Sequence, residues 1–124
     1  MAYPSELKYT EEHEWVKVDG DTVTVGITSY AAEELGDIVF VDMPGAGATV
    51  AKGDTFGTIE SVKTVADLFA PVSGEIVAVN EALEDTPETV GEDPYGAGWI
   101  IKIKMSDPAD LDALLSSEDY AAKL

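Results

Sequence analysis

The sequence predicts a mainly β protein, and three observations predict it. Apolar residues make up 45% of the chain, yet they fall in short β-branched runs rather than in long helical stripes. Glycine and proline punctuate those runs at Gly20, Pro44-Gly45, Gly53, Pro71 and Gly74. Finally, Gly36-Asp37-Ile38-Val39-Phe40-Val41 recurs 38 residues later as Gly74-Glu75-Ile76-Val77-Ala78-Val79, identical or conservative at five of six positions. A two-fold related β-sandwich would account for the repeat. Strands of this composition also look alike by chance, and six residues leave both readings open.

Taken in order, Glu14 to Val18 and Thr22 to Thr28 alternate apolar and polar residues around Asp19-Gly20-Asp21, the pattern of a β-hairpin. Ser29 to Leu35 reads as a short helix, with Ser29 positioned to cap it, alanine and glutamate filling it and Gly36 ending it. Strands are expected at Asp37 to Val41, Thr55 to Glu60, Thr64 to Phe69, Glu75 to Val79 and Trp99 to Lys104. Between the last two, Glu81 to Gly98 holds two prolines, three glycines and several acids without periodicity, and reads as a long surface loop. C-terminal helices are expected at about 107–122. Asp107-Pro108 offers an N-cap followed by proline, and Leu111, Leu114 and Leu115 share a helical face. Ser116 with Asp119 resembles a capping box for a last turn through Tyr120 and Ala121.

Composition excludes several classes of function. A chain of 124 residues suits one domain, expected to span 1–124. Acids number 25 against 7 basic residues, all lysine, so the net charge is −18. Nucleic acid and anionic membrane are poor partners for such a surface. Without cysteine there are no disulfides, thiolate nucleophiles or cysteine metal sites, and the lone His13 cannot build a histidine metal site, so no metal is expected. No apolar stretch approaches the length of a membrane span, and Met1 to Lys8 lack the basic start and apolar middle of a secretory signal. The expected location is the bacterial cytoplasm, or the mitochondrial matrix if the chain is a processed form. A monomer is expected.

The chemistry concentrates between the two copies of the repeat. The strands flanking Ser61-Val62-Lys63 place Lys63 at the tip of a hairpin spanning about 55–70, exposed to solvent. Glu60-Ser61-Val62-Lys63, followed by Ala70-Pro71-Val72-Ser73-Gly74-Glu75-Ile76, resembles the attachment hairpin of the glycine cleavage system H-protein family, whose members are lipoyl carriers. The resemblance runs colinearly through His13-Glu14-Trp15-Val16, Leu35-Gly36-Asp37-Ile38-Val39-Phe40-Val41, Asp93-Pro94-Tyr95-Gly96 and Gly98-Trp99-Ile100-Ile101. Thr64-Val65 departs from the alanine and small residue common there. Biotin carriers usually flank the lysine with methionine, and lipoyl domains of 2-oxo acid dehydrogenases usually offer Asp-Lys-Ala, so neither fits Val62-Lys63-Thr64 as well.

That resemblance implies a hybrid barrel-sandwich of the lipoyl-domain type. It further implies lipoate joined by an amide to Lys63, on an arm on the order of 14 Å long. The protein would be a carrier, not an enzyme, and no catalytic residue is assigned. It would take an aminomethyl group from a pyridoxal-phosphate glycine decarboxylase to a tetrahydrofolate-dependent aminomethyltransferase. A flavin (FAD) dihydrolipoyl dehydrogenase would then reoxidise its arm. Lipoate-attaching enzymes would be further partners, with Glu60 as their handle. Glu14 and Asp67 match the acidic positions that hold the loaded arm, where an opposite charge favours the ammonium form. His13 reads as structural, and Trp15 and Trp99 as core anchors. An alternative within the same fold is a paralogue that serves as a platform for lipoate assembly or relay. From another class, Glu60 with Asp67 could act as an acid–base pair on a sugar.

Overall fold

The computed structural model describes residues 3–124; Met1 and Ala2, which open the expected 1–124 span, lie outside the described residues. Among the described residues, nine strands form two antiparallel sheets. They are β1 (Lys8–Tyr9), β2 (Glu14–Asp19), β3 (Thr22–Ile27), β4 (Ile38–Asp42), β5 (Thr49–Val50), β6 (Thr55–Ser61), β7 (Val65–Phe69), β8 (Gly74–Val79) and β9 (Ile101–Met105). The larger sheet runs β1-β2-β3-β9-β8-β5 and the smaller β4-β6-β7. Val23, Val25, Ile101, Ile103 and Ile76 from the first meet Ile38, Val41, Ile59 and Leu68 from the second in one apolar core. Period-2 alternation produces this layering, because every second side chain of each strand points between the sheets. The fold class is the expected one, mainly β.

The β2–β3 hairpin closes with Asp19 opposite Thr22. Gly20 takes φ 64° at the first central position, the geometry of a II′ turn, which matches the twist of the flanking strands. Helix α1 (Ser29–Leu35) follows, but its cap is Thr28 rather than Ser29. Thr28 has extended φ/ψ and its hydroxyl accepts from Ala31 N–H at 3.3 Å, while Ser29 is already the first helical residue. Gly36 ends the helix at φ 78° and donates its N–H to Ala32 O.

The expected loop over 81–98 is not a loop. It contains two single-turn helices, α2 (Ala82–Asp85) and α3 (Thr89–Glu92), whose Leu83 and Val90 are buried in the main core. One apolar residue per turn in an acidic segment is too sparse to register as a period, yet it suffices to seat each turn. The helix expected from Asp107 is a 3-10 helix (Pro108–Ala113), capped by Asp107, whose carboxylate accepts from Ala109 N–H at 3.1 Å. Helix α4 (Ser117–Ala122) has the expected Ser116 cap, which accepts from Asp119 N–H at 3.2 Å.

The two copies of the repeat fall in different sheets, as β4 and β8. Each pairs antiparallel with a neighbour, and each carries a register shift at the same place, between Ile38 and Phe40 in one and between Ile76 and Ala78 in the other. A shared bulge at matching residues is a feature that composition alone does not produce. The repeat is therefore structural as well as textual.

Candidate functional site

Lys63 stands in the turn between β6 and β7 and is exposed. The turn contains no glycine, and side-chain and backbone bonds hold it instead. Ser61 N–H donates to Thr64 O at 2.7 Å, Ser61 Oγ donates to the same carbonyl at 3.1 Å, and Thr64 N–H donates back to Ser61 Oγ at 3.1 Å. Outside the hairpin, Val62 N–H donates to Asp37 O at 3.0 Å, which ties the tip to the start of β4. A Cβ added at Gly36 would lie 3.9 Å from Lys63 Cε, so the lysine stem leans over the end of α1.

Beside this tip a cleft of about 530 Å³ opens between α1 and β7. Ile27, Ala31, Leu35, Ile59, Ala66 and Leu68 form its apolar wall. Polar groups also line it: Glu12, His13 and Glu14 at the end beside the start of β2, with Tyr30, Glu34 and Asp67 along its sides. Glu14 is only 2% exposed, unlike the solvated carboxylate that its place in an acidic chain suggests. Its Oε2 accepts from Phe69 N–H at 2.7 Å and its Oε1 from Thr10 Oγ1 at 3.2 Å. Burial pushes the Glu14 carboxyl up to about 8, against the opposing pull of those two donors. Glu14 thus begins β2 and holds the far end of β7.

The structure brings Glu14 and Asp67 to the same cleft and leaves Glu60 out of it. Glu60 is exposed on the outer face of the small sheet, opposite Phe40 on one side and Val65 on the other. Asp67 is exposed at the rim, opposite Thr58. An acid–base pair of Glu60 with Asp67 would need a shared cavity, and Glu60 does not line the cleft that Asp67 borders.

His13 has the structural part expected, though its partner is remote in sequence. Its Nδ1 lies 2.8 Å from Tyr120 Oη, which also lies 2.8 Å from Thr28 Oγ1, the cap of α1. Buried Tyr120 therefore ties α4 to the cleft's polar end, and it stacks on Tyr9 with ring centroids 4.9 Å apart. Sequence reasoning passed over Tyr120 because nothing nearby marks an aromatic in a terminal turn as a hub. Trp15 is a buried anchor, its Nε1 donating to Pro94 O at 2.8 Å. Trp99 anchors the same aromatic cluster from its edge: it is half-buried, packs against the cluster of Leu7, Tyr9, Trp15 and Tyr120, and has Lys102 Nζ 5.2 Å above its ring.

Comparison with known proteins bears on this arrangement. Residues 7–124 match the model of the family described as glycine cleavage H-protein. The chain belongs to the glycine cleavage H-protein family. It is 60% identical over 120 residues to the glycine cleavage system H protein of Staphylococcus haemolyticus, covering 97% of this chain and 95% of that one. With the protein of the same name from Bacteroides fragilis it shares 58% over 122 residues, covering 98% and 97%. Among solved structures, a glycine cleavage system H protein from Mycobacterium marinum superposes with a TM-score of 0.90 at 46% identity, over 98% of each chain. The H-protein fold is therefore shown, and with it the hybrid barrel-sandwich expected of the family.

Proposed function

We propose that this H-protein carries lipoate as an amide on Lys63 and acts as the mobile carrier of glycine cleavage. It would serve, as a monomer in the cytoplasm, a pyridoxal-phosphate decarboxylase, a tetrahydrofolate-dependent aminomethyltransferase, a flavin dehydrogenase and the enzyme that attaches the lipoate. The observation that carries this reading is the clamped hairpin tip, which presents one exposed lysine beside a cleft that is apolar along its wall and acidic at its end. Lipoate on that lysine supplies a disulfide that can be opened, loaded with a one-carbon amine and reoxidised.

The residues present fit such a group. Asp67 is the third residue of β7 and the fourth beyond Lys63, a separation of at most about 14 Å, which an arm on the order of 14 Å can span. Alkyl carbons of an arm would rest on Leu35, Ile59 and Leu68, while a terminal ammonium would meet Asp67 and then Glu14. At neutral pH the Glu14 carboxyl is largely protonated, given its value of about 8. A cation beside it favours the carboxylate, so Glu14 gives up its proton to solvent as the cleft takes up positive charge. The apolar wall also keeps water from the reactive end. Glu60, exposed three residues before Lys63, serves as a handle for the attaching enzyme.

The test is acylation of the purified apo-protein with lipoate, ATP and a lipoate ligase, read by intact mass and peptide mapping. We expect one lipoyl group, on Lys63. Lys63→Arg should take up none while unfolding within about 0.5 kcal/mol of the native protein, as exposed substitutions do. A lipoyl group on Lys52 or Lys102, or none on the native chain, would overturn the reading.

A further inference from the structure

The one position at which the two copies of the repeat differ in kind is Phe40 against Ala78. Both copies carry the bulge, both bury their isoleucine, and both leave the bulged valine exposed, Val39 at 49% and Val77 at 44%. At the next residue they part. Ala78 is half-buried, whereas Phe40 is 50% exposed. An exposed phenylalanine adds little to the core and costs solubility, so its presence in only one copy calls for a cause outside folding.

Its neighbours indicate that cause. Phe40 pairs with Glu60, and Glu60 with Val65, so the three side chains form one row across the outer face of the small sheet. Val65 is exposed, and so is Val62 in the turn itself. Phe40 and Val65 thus flank Glu60, with Val39 next to Phe40 at the bulge and Val62 next to Lys63 in the turn. Asp37, Asp42 and Asp67 lie exposed around them. In the small sheet and its turn, Lys63 is the sole cation among the described residues.

We infer that this patch is the seat on which the lipoate-attaching enzyme docks. The inference rests on the reading of Lys63 as the acylated residue, and it adds the surface by which that residue is found. The partner's complementary face would have an apolar centre and a rim of lysine and arginine, since the patch has an apolar centre and an acidic rim. Acylation requires the Lys63 nitrogen to reach the acyl carbon of an acyl adenylate. The new amide bond forms, the acyl–phosphate bond breaks, AMP leaves and the amine's proton passes to solvent. Glu60 alone would read one charge among 25 acids. Phe40 and Val65 on either side of it make the lysine of this hairpin distinguishable from the other six.

The repeat supplies its own control. Val39→Ser and Val77→Ser make the same change in the same bulge at similar exposure, one beside Lys63 and the other in the opposite sheet. With a lipoate ligase, lipoate and ATP, we expect Phe40→Ser to raise the apparent KM for the apo-protein about tenfold with little change in kcat. Val39→Ser should raise it severalfold, and Val77→Ser should match the native protein. Direct binding of each apo-protein to the ligase, measured without ATP, should weaken in the same order. Native KM and affinity for Phe40→Ser, or equal losses in the two valine variants, would overturn the docking inference. Absence of acylation at Lys63 in the native chain would instead overturn the reading beneath it.

Discussion

Two of the protein's hairpins, β2–β3 and β6–β7, solve the same problem in opposite ways. Between β2 and β3 the chain reverses at Gly20, with φ 64° and no atom within 4 Å of where a Cβ would be. Between β6 and β7 it reverses without glycine, held by Ser61 to Thr64 and by the Asp37 carbonyl. A glycine turn fixes register through backbone conformation. A turn clamped by a side chain fixes register and also the direction in which its central residue points. The second arrangement suits the carrier role proposed for Lys63, because an acyl-transfer enzyme would have to find the amine in a reproducible place. Glu14 joins the two hairpins, beginning β2 and accepting from Phe69 at the end of β7.

Breaking that joint should give the largest effect. Glu14 has an ordinary value of 4.5 and is raised to about 8 by burial. The folded form then holds more protons than the unfolded form between those two pH values, so stability falls as pH rises through the window. The contribution is complete below about pH 4.5 and gone above about pH 8. Glu14→Gln keeps an oxygen for the Phe69 N–H and removes the titration. Native and Glu14→Gln proteins should therefore differ in unfolding free energy by an amount that shifts by on the order of 3 kcal/mol between pH 5 and 8, with the native form losing ground. Denaturant titrations at a series of pH values read it. Taking the difference between the two proteins cancels the other carboxylates, and a difference that stays constant with pH would show Glu14 to be ionised throughout.

The burial of Glu14 also marks where the sequence stops being informative. Strand positions were legible because alternation is local, and the Lys63 hairpin because turn and flanking strands lie together in the chain. Glu14 looked like any of 25 acids, since its burial depends on Phe69, 55 residues away. Similar reasons hid α2 and α3, each seated by one apolar residue, and the cap of α1, where Thr28 and Ser29 are equally suited by type and only the backbone decides. Phe40 read as one more apolar residue in a β-run, because exposure is set by a bulge that the sequence does not announce.

A smaller effect is expected from the clamp itself. Ser61→Ala removes the hydroxyl that both donates to Thr64 O and accepts from its N–H, while the Ser61 N–H bond to the same carbonyl remains. Stability should fall by about 1 kcal/mol. Acylation of Lys63 should slow severalfold at saturating apo-protein, since a loosened tip samples orientations in which the amine does not meet the acyl carbon. Ser61→Thr keeps the hydroxyl and should restore most of the rate. If Ser61→Ala lost stability but acylated at the native kcat, the clamp would serve folding alone, and the contrast between the hairpins would reduce to a difference in turn chemistry.

The smallest effect belongs to the other turn. Gly20→Ala places a Cβ in open space, so no clash arises. The cost is that of holding an L-residue at positive φ, about 1 kcal/mol, offset in part by the lower entropy of the unfolded chain when glycine is replaced. A net loss of less than about 1 kcal/mol should appear as a small shift of the urea midpoint. The variant should not alter the KM or kcat of Lys63 acylation, because Gly20 lies outside the small sheet and its turn is tied only to the larger one, through the β2–β3 register and the bond from Met105 N–H to Asp21 O at 2.8 Å. A change in acylation from Gly20→Ala would mean that strain in the first hairpin reaches the second, with the Glu14 bond to Phe69 as the connection to test next.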